Sequence, residues 1–340
     1  LVGQQQTKIP AARAGEVVGL GRFEGYKTGE ILTPTGATRP KNWPPTLPPV
    51  YALAIHAENR SDEVKLSGAL QKLVEEDASY SVEHSVEMHQ LLLWGQGEQH
   101  IQIGLDRLRG KYNVAVEGER PLTAYRETIR KGVQQHARFK RQSGGHGQFA
   151  DIHMEIKPLT RGEGFSFGER IVGGAIPRNF IPAVEAGVRE YLPRGPLGFP
   201  VVDVAVELFD GKFHAVDSSD MAFKTAGRMA MSEGMPLCNP VLLEPILLVT
   251  IFVPNEFTAG AQRLLSGRRG QILGYDARAG WKDWDQVQAH VPQAEVNDLI
   301  IELRSLTRGV GTFEWKFDHL QELTGRLADD VVKARAEAAQ

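Results

Sequence analysis

The residues best suited to chemistry form a glycine-rich turn at residues 139–149, with the sequence FKRQSGGHGQF. Lys140, Arg141 and His146 lie in this turn with no acidic residue among them. Three of the four residues 144–147 are glycine, which permits positive φ angles and lets another backbone approach closely. The flanking residues alternate as strands do. The pattern predicts a β-hairpin whose tip contacts an anion.

A second candidate is a loop in which His214, Asp217 and Ser218 carry the residue types of a hydrolase triad. The members of a triad must converge in a line of hydrogen bonds, which neighbouring residues seldom achieve. A plain loop with Ser218 or Ser219 as the N-cap of the next helix is one interpretation. An exposed contact loop is another, and we favour it.

Other catalytic motifs are incomplete. Residues 164–168 match G-x-S-x-G, but Gly173, Gly174 and Pro177 exclude the helix that should follow a nucleophile, so Ser166 is predicted to lie in a strand. No phosphate-binding G-x-x-x-x-G-K-S/T motif occurs in the chain. The histidines between residues 84 and 100 have no known metal spacing, and a single cysteine supplies no thiolate cluster. We predict no catalytic residue, metal site or cofactor in this chain.

Two adjacent arginines, Arg268 and Arg269, end a predicted helix. Cations at this position interact favourably with the helix dipole, and Gly270 can serve as a C-cap. Two guanidinium groups at a helix end can also bind phosphate. The sequence leaves both interpretations open.

The composition is typical of a soluble globular protein. The chain of 340 residues is 41% hydrophobic and 24% charged, with a formal net charge of −3, and its length predicts two to four domains. This charge argues against a surface coated in basic groups, although a local basic tip is compatible with it. The one cysteine, Cys238, excludes an intrachain disulfide and favours the cytosol. No run of about 18 apolar residues occurs, so we predict no membrane span.

The elements that must position these residues fall into separate pieces. Residues 1–38 read as short strands and turns, and five prolines between residues 39 and 49 predict a stiff linker. Residues 49–120 follow the order βαββαβ, with Ser61 as the N-cap of the first helix, and the same order returns at residues 240–318. The middle piece holds the hairpin and the contact loop, and a helix ends the chain.

Motifs along these pieces resemble, in order, those of bacterial elongation factor G, the ribosomal translocase. They are GQGEQH at 95–100, YRETI at 125–129, QSGGHGQ at 142–148, GGAIP at 173–177, GFPVVD at 198–203, HAVDSS at 214–219, PVLLEP at 240–245 and LRSLTRG at 303–309. The resemblance spans essentially the whole chain.

The resemblance implies an α+β multidomain fold. The expected order is the end of β-barrel domain II with a proline-rich linker at 1–48, ferredoxin-like domain III at 49–120, a ribosomal-protein-S5-like α/β domain IV at 121–239, ferredoxin-like domain V at 240–320 and a C-terminal helix at 321–340. The family also has a GTPase domain, which we expect to be missing here. GTP and Mg²⁺ would then belong to the full-length parent, and this chain would not hydrolyse GTP.

The resemblance also assigns the site residues. In the family, tip loops of domain IV enter the decoding site of the small ribosomal subunit and contact the tRNA–mRNA duplex. The residues that fall on these tips are Ser143, Gly144, Gly145, His146, His214, Asp217 and Ser218. Arg268 and Arg269 fall where domain V approaches large-subunit RNA. The expected partners are thus the ribosome and tRNA–mRNA, with the chain as a cytoplasmic monomer.

Four positions depart from the family pattern. His146 stands where arginine is usual, Ala215 where an acid is common, and Gly267 within what is usually an arginine run. Gln99 is unusual within its motif at residues 95–100. Losing a permanent charge at the tip suggests a paralogue. The predicted function is the ribosome-binding C-terminal portion of an elongation factor G-like GTPase that promotes translocation. Alternatives are a ribosome-associated paralogue with a protection, recycling or regulatory role, a stand-alone RNA-binding module, and a hydrolase using Ser166 or Ser218.

Overall fold

The computed structural model describes residues 7–21, 28–38, 46–142 and 147–337. The chain divides into two compact units, one of residues 1–85 with 90–119 and one of residues 86–89 with 120–340. Among the described residues the fold is mixed α+β, with several separate sheets, which confirms the predicted fold class.

The N-terminal part of the first unit contains one small hairpin. Its strands are β1 (Ile31–Thr33) and β2 (Gly36–Thr38), which pair antiparallel. Ile31 and Leu32 are about half exposed. Where the end of a β-barrel is predicted, the described residues contain only this hairpin. Its three-residue strands carry too little apolar surface to form a buried layer.

The rest of the first unit has the predicted ferredoxin-like order. Its elements are β3 (Tyr51–Ala57), α1 (Glu63–Glu76), β4 (Ser81–Ser85), β5 (Gln90–Gly95), α2 (Glu98–Tyr112) and β6 (Val116–Glu119). The sheet is antiparallel in the order β4-β5-β3-β6. Leu66, Leu70 and Leu73 of α1 are buried, as their helical spacing predicts. The predicted N-cap is wrong, because Ser61 lies in a 3₁₀ turn before α1 and makes no side-chain cap.

The middle domain is a four-stranded sheet covered by two helices. Its elements are β7 (Arg126–Ile129), β8 (Val133–Arg141), β9 (Gln148–Pro158), β10 (Phe165–Glu169), α3 (Ile181–Tyr191), β11 (Val204–Lys212) and α4 (Asp220–Gly234). The sheet order is β10-β11-β9-β8, with β10 and β11 parallel and the other pairs antiparallel. Ser166 lies in β10, as predicted, and no helix directly follows it among the described residues.

Alternate residues of β9 form the core of this domain. Ile152, Met154 and Ile156 are fully buried in one cluster with Phe223 of α4. The two helices also approach each other closely, since a Cβ on Gly187 of α3 would lie 2.0 Å from a main-chain oxygen of α4. This core holds the β8–β9 hairpin on a rigid base.

The last domain repeats the architecture of the first. Its elements are β12 (Pro240–Pro254), α5 (Thr258–Gly267), β13 (Gln271–Ala277), β14 (Trp284–Pro292), α6 (Leu299–Leu306), β15 (Thr312–Leu323) and the final helix α7 (Arg326–Glu337). The strand order β13-β14-β12-β15 matches that of the first sheet, which confirms the predicted repeat. Strand β15 extends three residues past the predicted end of this domain, because its pairing with β12 continues to Leu323.

A shared sheet joins the middle domain to the last one. Strand β7 pairs antiparallel with β12, with Arg126 opposite Leu243. Side chains cross the same junction, since Arg130 and Arg161 donate to Glu322 at 2.6 and 2.8 Å. The two domains therefore meet through backbone pairing as well as ion pairs.

The junction also contains a buried acid. Glu127 of β7 is fully buried, and its Oε2 accepts a hydrogen bond from the Leu197 backbone at 2.6 Å. Burial raises the pKa of Glu127 to about 8. The carboxyl is therefore largely protonated near neutral pH.

Candidate nucleic-acid interface

The hairpin of β8 and β9 leads to the predicted tip. In its register Lys140 lies opposite Phe149, and Arg141 lies opposite Gln148. The guanidinium of Arg138 lies over the Phe149 ring, with 5.5 Å between Cζ and the ring centroid. The hairpin end thus carries three cations. The predicted tip residues 143–146 lie outside the described residues, and their contact with RNA stays a prediction.

The second predicted loop is fastened to the end of this hairpin. Gly147 N donates to Asp217 Oδ1 at 3.0 Å, and Phe149 N donates to Asp217 O at 2.8 Å. Ser218 Oγ donates to Phe149 O at 2.8 Å and accepts from His214 N at 2.9 Å. The structure therefore joins the second loop to Gly147 and Phe149 at the end of the hairpin, with Asp217 and Ser218 as internal anchors.

A glycine favours this close approach. A Cβ on Gly147 would lie 3.0 Å from Asp217 Cγ, a tight contact that would require the Asp217 side chain to move by a few tenths of an ångström. Beyond the loop, Ser219 accepts from Ala222 N at 3.2 Å and begins α4, which confirms one of the two predicted caps. The loop is thus held at both ends.

His214 is the polar side chain that this loop leaves accessible. Its Nδ1 accepts from the backbone nitrogens of Val216 and Asp217 at 3.3 and 3.2 Å. The side chain is 56% exposed, and Nε2 has no partner within the described part of the chain. Phe213 and Val216 beside it are also exposed. A ligand at this loop would meet Nε2 and two apolar side chains.

The same contacts argue against a hydrolase. Ser218 Oγ bonds to main-chain atoms of Phe149 and His214, whereas Nδ1 of the His214 ring faces backbone N–H groups. The hydroxyl is therefore not paired with an imidazole base, as a triad nucleophile must be. The hydrolase alternative has no geometry to support it here.

Arg268 is directed into the protein. Its side chain is 9% exposed, and Nη1 donates to Glu295 O at 2.5 Å and to Asp298 Oδ1 at 2.7 Å. Nη2 donates to Glu302 Oε1 at 2.7 Å. Burial alone would lower the pKa of Arg268, but these ion pairs outweigh it and raise the pKa above its usual value. The geometry fits an anchor for α6 and lends no support to the predicted RNA contact at Arg268.

Arg269 is also paired, although less deeply. Its Nη1 and Nη2 donate to the two carboxylate oxygens of buried Glu244, both at 2.9 Å, and Nε donates to Glu295 at 3.1 Å. About a third of the side chain remains exposed. A phosphate contact would have to share this guanidinium with Glu244, so the predicted RNA contact at Arg269 stays a prediction.

Comparison with known sequences agrees with the order of domains seen in the structure. Residues 47–120 match the family profile described as elongation factor G domain III, residues 121–239 match domain IV, and residues 241–331 match the elongation factor G C-terminus. The chain belongs to the elongation factor G family. Within that family, an "Elongation factor G-like protein" of Synechocystis sp. is 56% identical over 331 residues, which cover 97% of this chain and 49% of that protein.

A solved structure has a similar fold. A crystal structure of a protein from Thermus thermophilus superposes with a TM-score of 0.77 and 38% sequence identity, covering 87% of this chain and 44% of the other. This chain of the elongation factor G family thus spans about half the length of the relatives that it matches.

Within the described ranges, no helix is long and apolar enough to cross a membrane.

Two features of the candidate interface do not follow from the sequence pattern. Arg138 and Phe149 stack on each other, and Phe213 is exposed beside His214. Strand alternation alone placed Arg138 and Phe149 on separate strands without their register. The pairing of Phe139 with Ala150 in the structure fixes that register, which the spacing of residues along the chain does not reveal.

Proposed function

We propose that this chain is the ribosome-binding C-terminal portion of an elongation factor G-like translational GTPase that promotes tRNA–mRNA translocation. The observation that carries the proposal is the joining of two distant loops at one end of domain IV through Asp217 and Ser218. A single rigid tip suits an element that must push on RNA. Family membership supplies the rest of the argument.

The groups at this tip suit recognition that ignores base sequence. Arg138, Lys140 and Arg141 provide positive charge, and His214 provides Nε2, which has no partner among the residues that the structure describes. Contacts to sugar and phosphate position a protein without reading sequence, and a translocase must act on every codon. The proposed partners are the decoding site of the small subunit and the tRNA–mRNA duplex, with Arg269 near large-subunit RNA.

The remaining parts of the proposal concern the whole protein. GTP and Mg²⁺ would bind in a GTPase domain of the full-length parent, and hydrolysis would take place there. The protein would act as a cytoplasmic monomer. Membership of the family supports these assignments.

Cosedimentation of the 340-residue chain with programmed ribosomes tests the proposal. Binding should weaken steeply as salt rises, because phosphate contacts release counterions. His214→Ala and Lys140→Ala should each weaken it, whereas Lys333→Ala, 77% exposed on α7, should not. No binding at low salt, or equal loss in all three variants, would overturn the proposed tip. Equal affinity for free RNA would favour a stand-alone RNA-binding module.

A paralogue with a protection, recycling or regulatory role is the second candidate. His146 at the tip favours it, since a permanent cation is usual there in the family. With the full-length parent, GTP turnover stimulated by ribosomes without messenger movement would identify the paralogue. His146→Arg should strengthen ribosome binding, most at low salt. An unchanged affinity would show that charge at this position is irrelevant.

A further inference from the structure

The outer face of the domain IV sheet carries a cluster of metal-ligating side chains. His136 lies on β8, and Asp151 and His153 lie on β9. His136 is directly opposite His153, and Asp151 is two residues before His153, so strand alternation places all three on one face. This is the face opposite Ile152 and Met154, which pack against the helices.

The three ligand atoms converge. His136 Nε2 lies 3.0 Å from Asp151 Oδ1, and His153 Nε2 lies 3.7 Å from the same oxygen. The two imidazole rings stack with centroids 4.2 Å apart and an interplanar angle of 8°, so at least one ring must rotate for both Nε2 lone pairs to reach one ion. Tetrahedral Zn²⁺ with bonds of about 2.0–2.1 Å separates neighbouring ligand atoms by about 3.3 Å. The two measured separations lie on either side of that value.

Asp151 is unusually buried for a carboxylate on an outer sheet face, with 7% of its side chain exposed. Its other oxygen, Oδ2, lies 3.8 Å from Arg138 Nε, and the register places Lys212 beside it on β11. Asp210 lies beside His153 in the same register. A buried carboxylate needs compensation by hydrogen bonds or a cation. Arg138 compensates Oδ2 from one side, and Oδ1 shares a hydrogen bond with His136 Nε2 at 3.0 Å, which a bound cation would replace.

We propose that His136, Asp151 and His153 bind one divalent transition-metal ion, with Zn²⁺ as the best-matched ion. Two imidazoles and one carboxylate suit Zn²⁺, whereas Mg²⁺ and Ca²⁺ prefer oxygen ligands throughout. Three protein ligands leave one coordination position for water. The ion would link β8 to β9 below the tip and would stiffen the hairpin that carries it.

A second group of this type within the described residues provides a matched control. His290, Asp318 and His319 lie on strands of domain V. There Asp318 and His319 are adjacent in the chain, at the point where the β12–β15 register shifts, and no carboxylate of this group is buried. Substitution of His319 changes a comparable His–Asp pair without touching domain IV.

Isothermal titration of the full chain with Zn²⁺ alone tests the site, with Mg²⁺ as the comparison ion. Compared with wild type, His136→Asn and His153→Asn should each lose one equivalent of Zn²⁺ or bind it at least about tenfold more weakly, because even second-shell changes cost about 10–100-fold. His319→Asn should leave that equivalent in place. Arg138→Gln should raise the affinity for Zn²⁺, because a neighbouring positive charge is removed.

Folding must be checked in the absence of metal, and circular dichroism and the urea midpoint of each variant should match wild type. If a histidine variant does not fold like the wild type, Arg138→Gln supplies an independent test, because it should bind Zn²⁺ more tightly than the wild type does. Wild-type Zn²⁺ binding that survives in both His136→Asn and His153→Asn would overturn the proposal. Loss of the equivalent only in His319→Asn would overturn it as well, since the ion would then lie in domain V.

Discussion

The buried carboxyl of Glu127 predicts how stability at the junction of domains IV and V depends on pH. Burial raises its pKa to about 8 from an ordinary 4.5, and backbone hydrogen bonds from Leu197 and Phe199 offset only part of this effect. Oε1 has no hydrogen-bond partner among the residues that the structure describes. The folded state therefore prefers the protonated form. The stability that this form contributes is fully present below about pH 4.5 and is lost as pH rises through about 8.

The size of the effect follows from the difference between the two pKa values. Each pKa unit corresponds to about 1.4 kcal/mol, so the whole shift amounts to at most about 5 kcal/mol. Between about pH 6 and pH 9, the wild type should lose about 2–3 kcal/mol of unfolding free energy through this group. Glu127→Gln, which cannot ionise, should not show that loss.

The assay is urea unfolding across this pH range, followed by tryptophan fluorescence, because Trp281, Trp284 and Trp315 all lie in domain V. Glu322→Gln is the control. A hydrogen bond from Arg130 lowers the pKa of Glu322, so Glu322 does not titrate in this range. The Glu322→Gln variant should therefore lose the same unfolding free energy between about pH 6 and pH 9 as the wild type. Equal slopes for wild type and Glu127→Gln would refute the reasoning.

Other predictions concern packing and the two candidate sites, and urea unfolding tests the first two. Gly187→Ala should destabilise the protein by about 1–3 kcal/mol or more, because its Cβ would lie 2.0 Å from a main-chain oxygen of α4. Gly68→Ala, in open space on α1, should stabilise by up to about 1 kcal/mol, and a loss there would contradict the packing argument. Arg268→Gln should lower the unfolding free energy by about 1–3 kcal/mol and leave ribosome affinity unchanged. Weaker ribosome binding with unchanged stability would instead support the predicted RNA contact at Arg268. Gly147→Ala should speed hydrogen exchange at the Phe149 amide, and unchanged protection would show that the two loops do not depend on this close approach.

Local patterns predicted most of the fold because they report backbone periodicity. The two βαββαβ units, the strand at Ser166 and the cap at Ser219 all depend on residues a few positions apart. Ser61 was predicted as a cap by type alone, but a 3₁₀ turn moved the start of α1 past it. Local periodicity therefore predicts that an element exists more reliably than it predicts its first residue.

The candidate sites were harder to predict because they depend on residues distant in sequence. The sequence left a phosphate contact at Arg268 open. Its partners Asp298, just before α6, and Glu302, on α6, are 30 and 34 positions away in the chain and 2.7 Å away in space. The cluster of His136 and Asp151 depends on the β8–β9 register, which no spacing along the chain reveals. Motif order placed the His214 loop correctly beside the hairpin. It gave no sign that Ser218 is an anchor.

The central claim is that the joined tip of domain IV meets the RNA of the decoding site. Cys238 is fully buried, so a single cysteine introduced by Val216→Cys, at an exposed position, can carry a tethered iron chelate that cleaves nearby RNA. The matched control is Val64→Cys on α1, where the side chain is 86% exposed. On programmed ribosomes, cleavage from position 216 should fall on small-subunit RNA at the decoding site and be absent there from position 64. No cleavage from position 216, or cleavage confined to other RNA, would contradict the account.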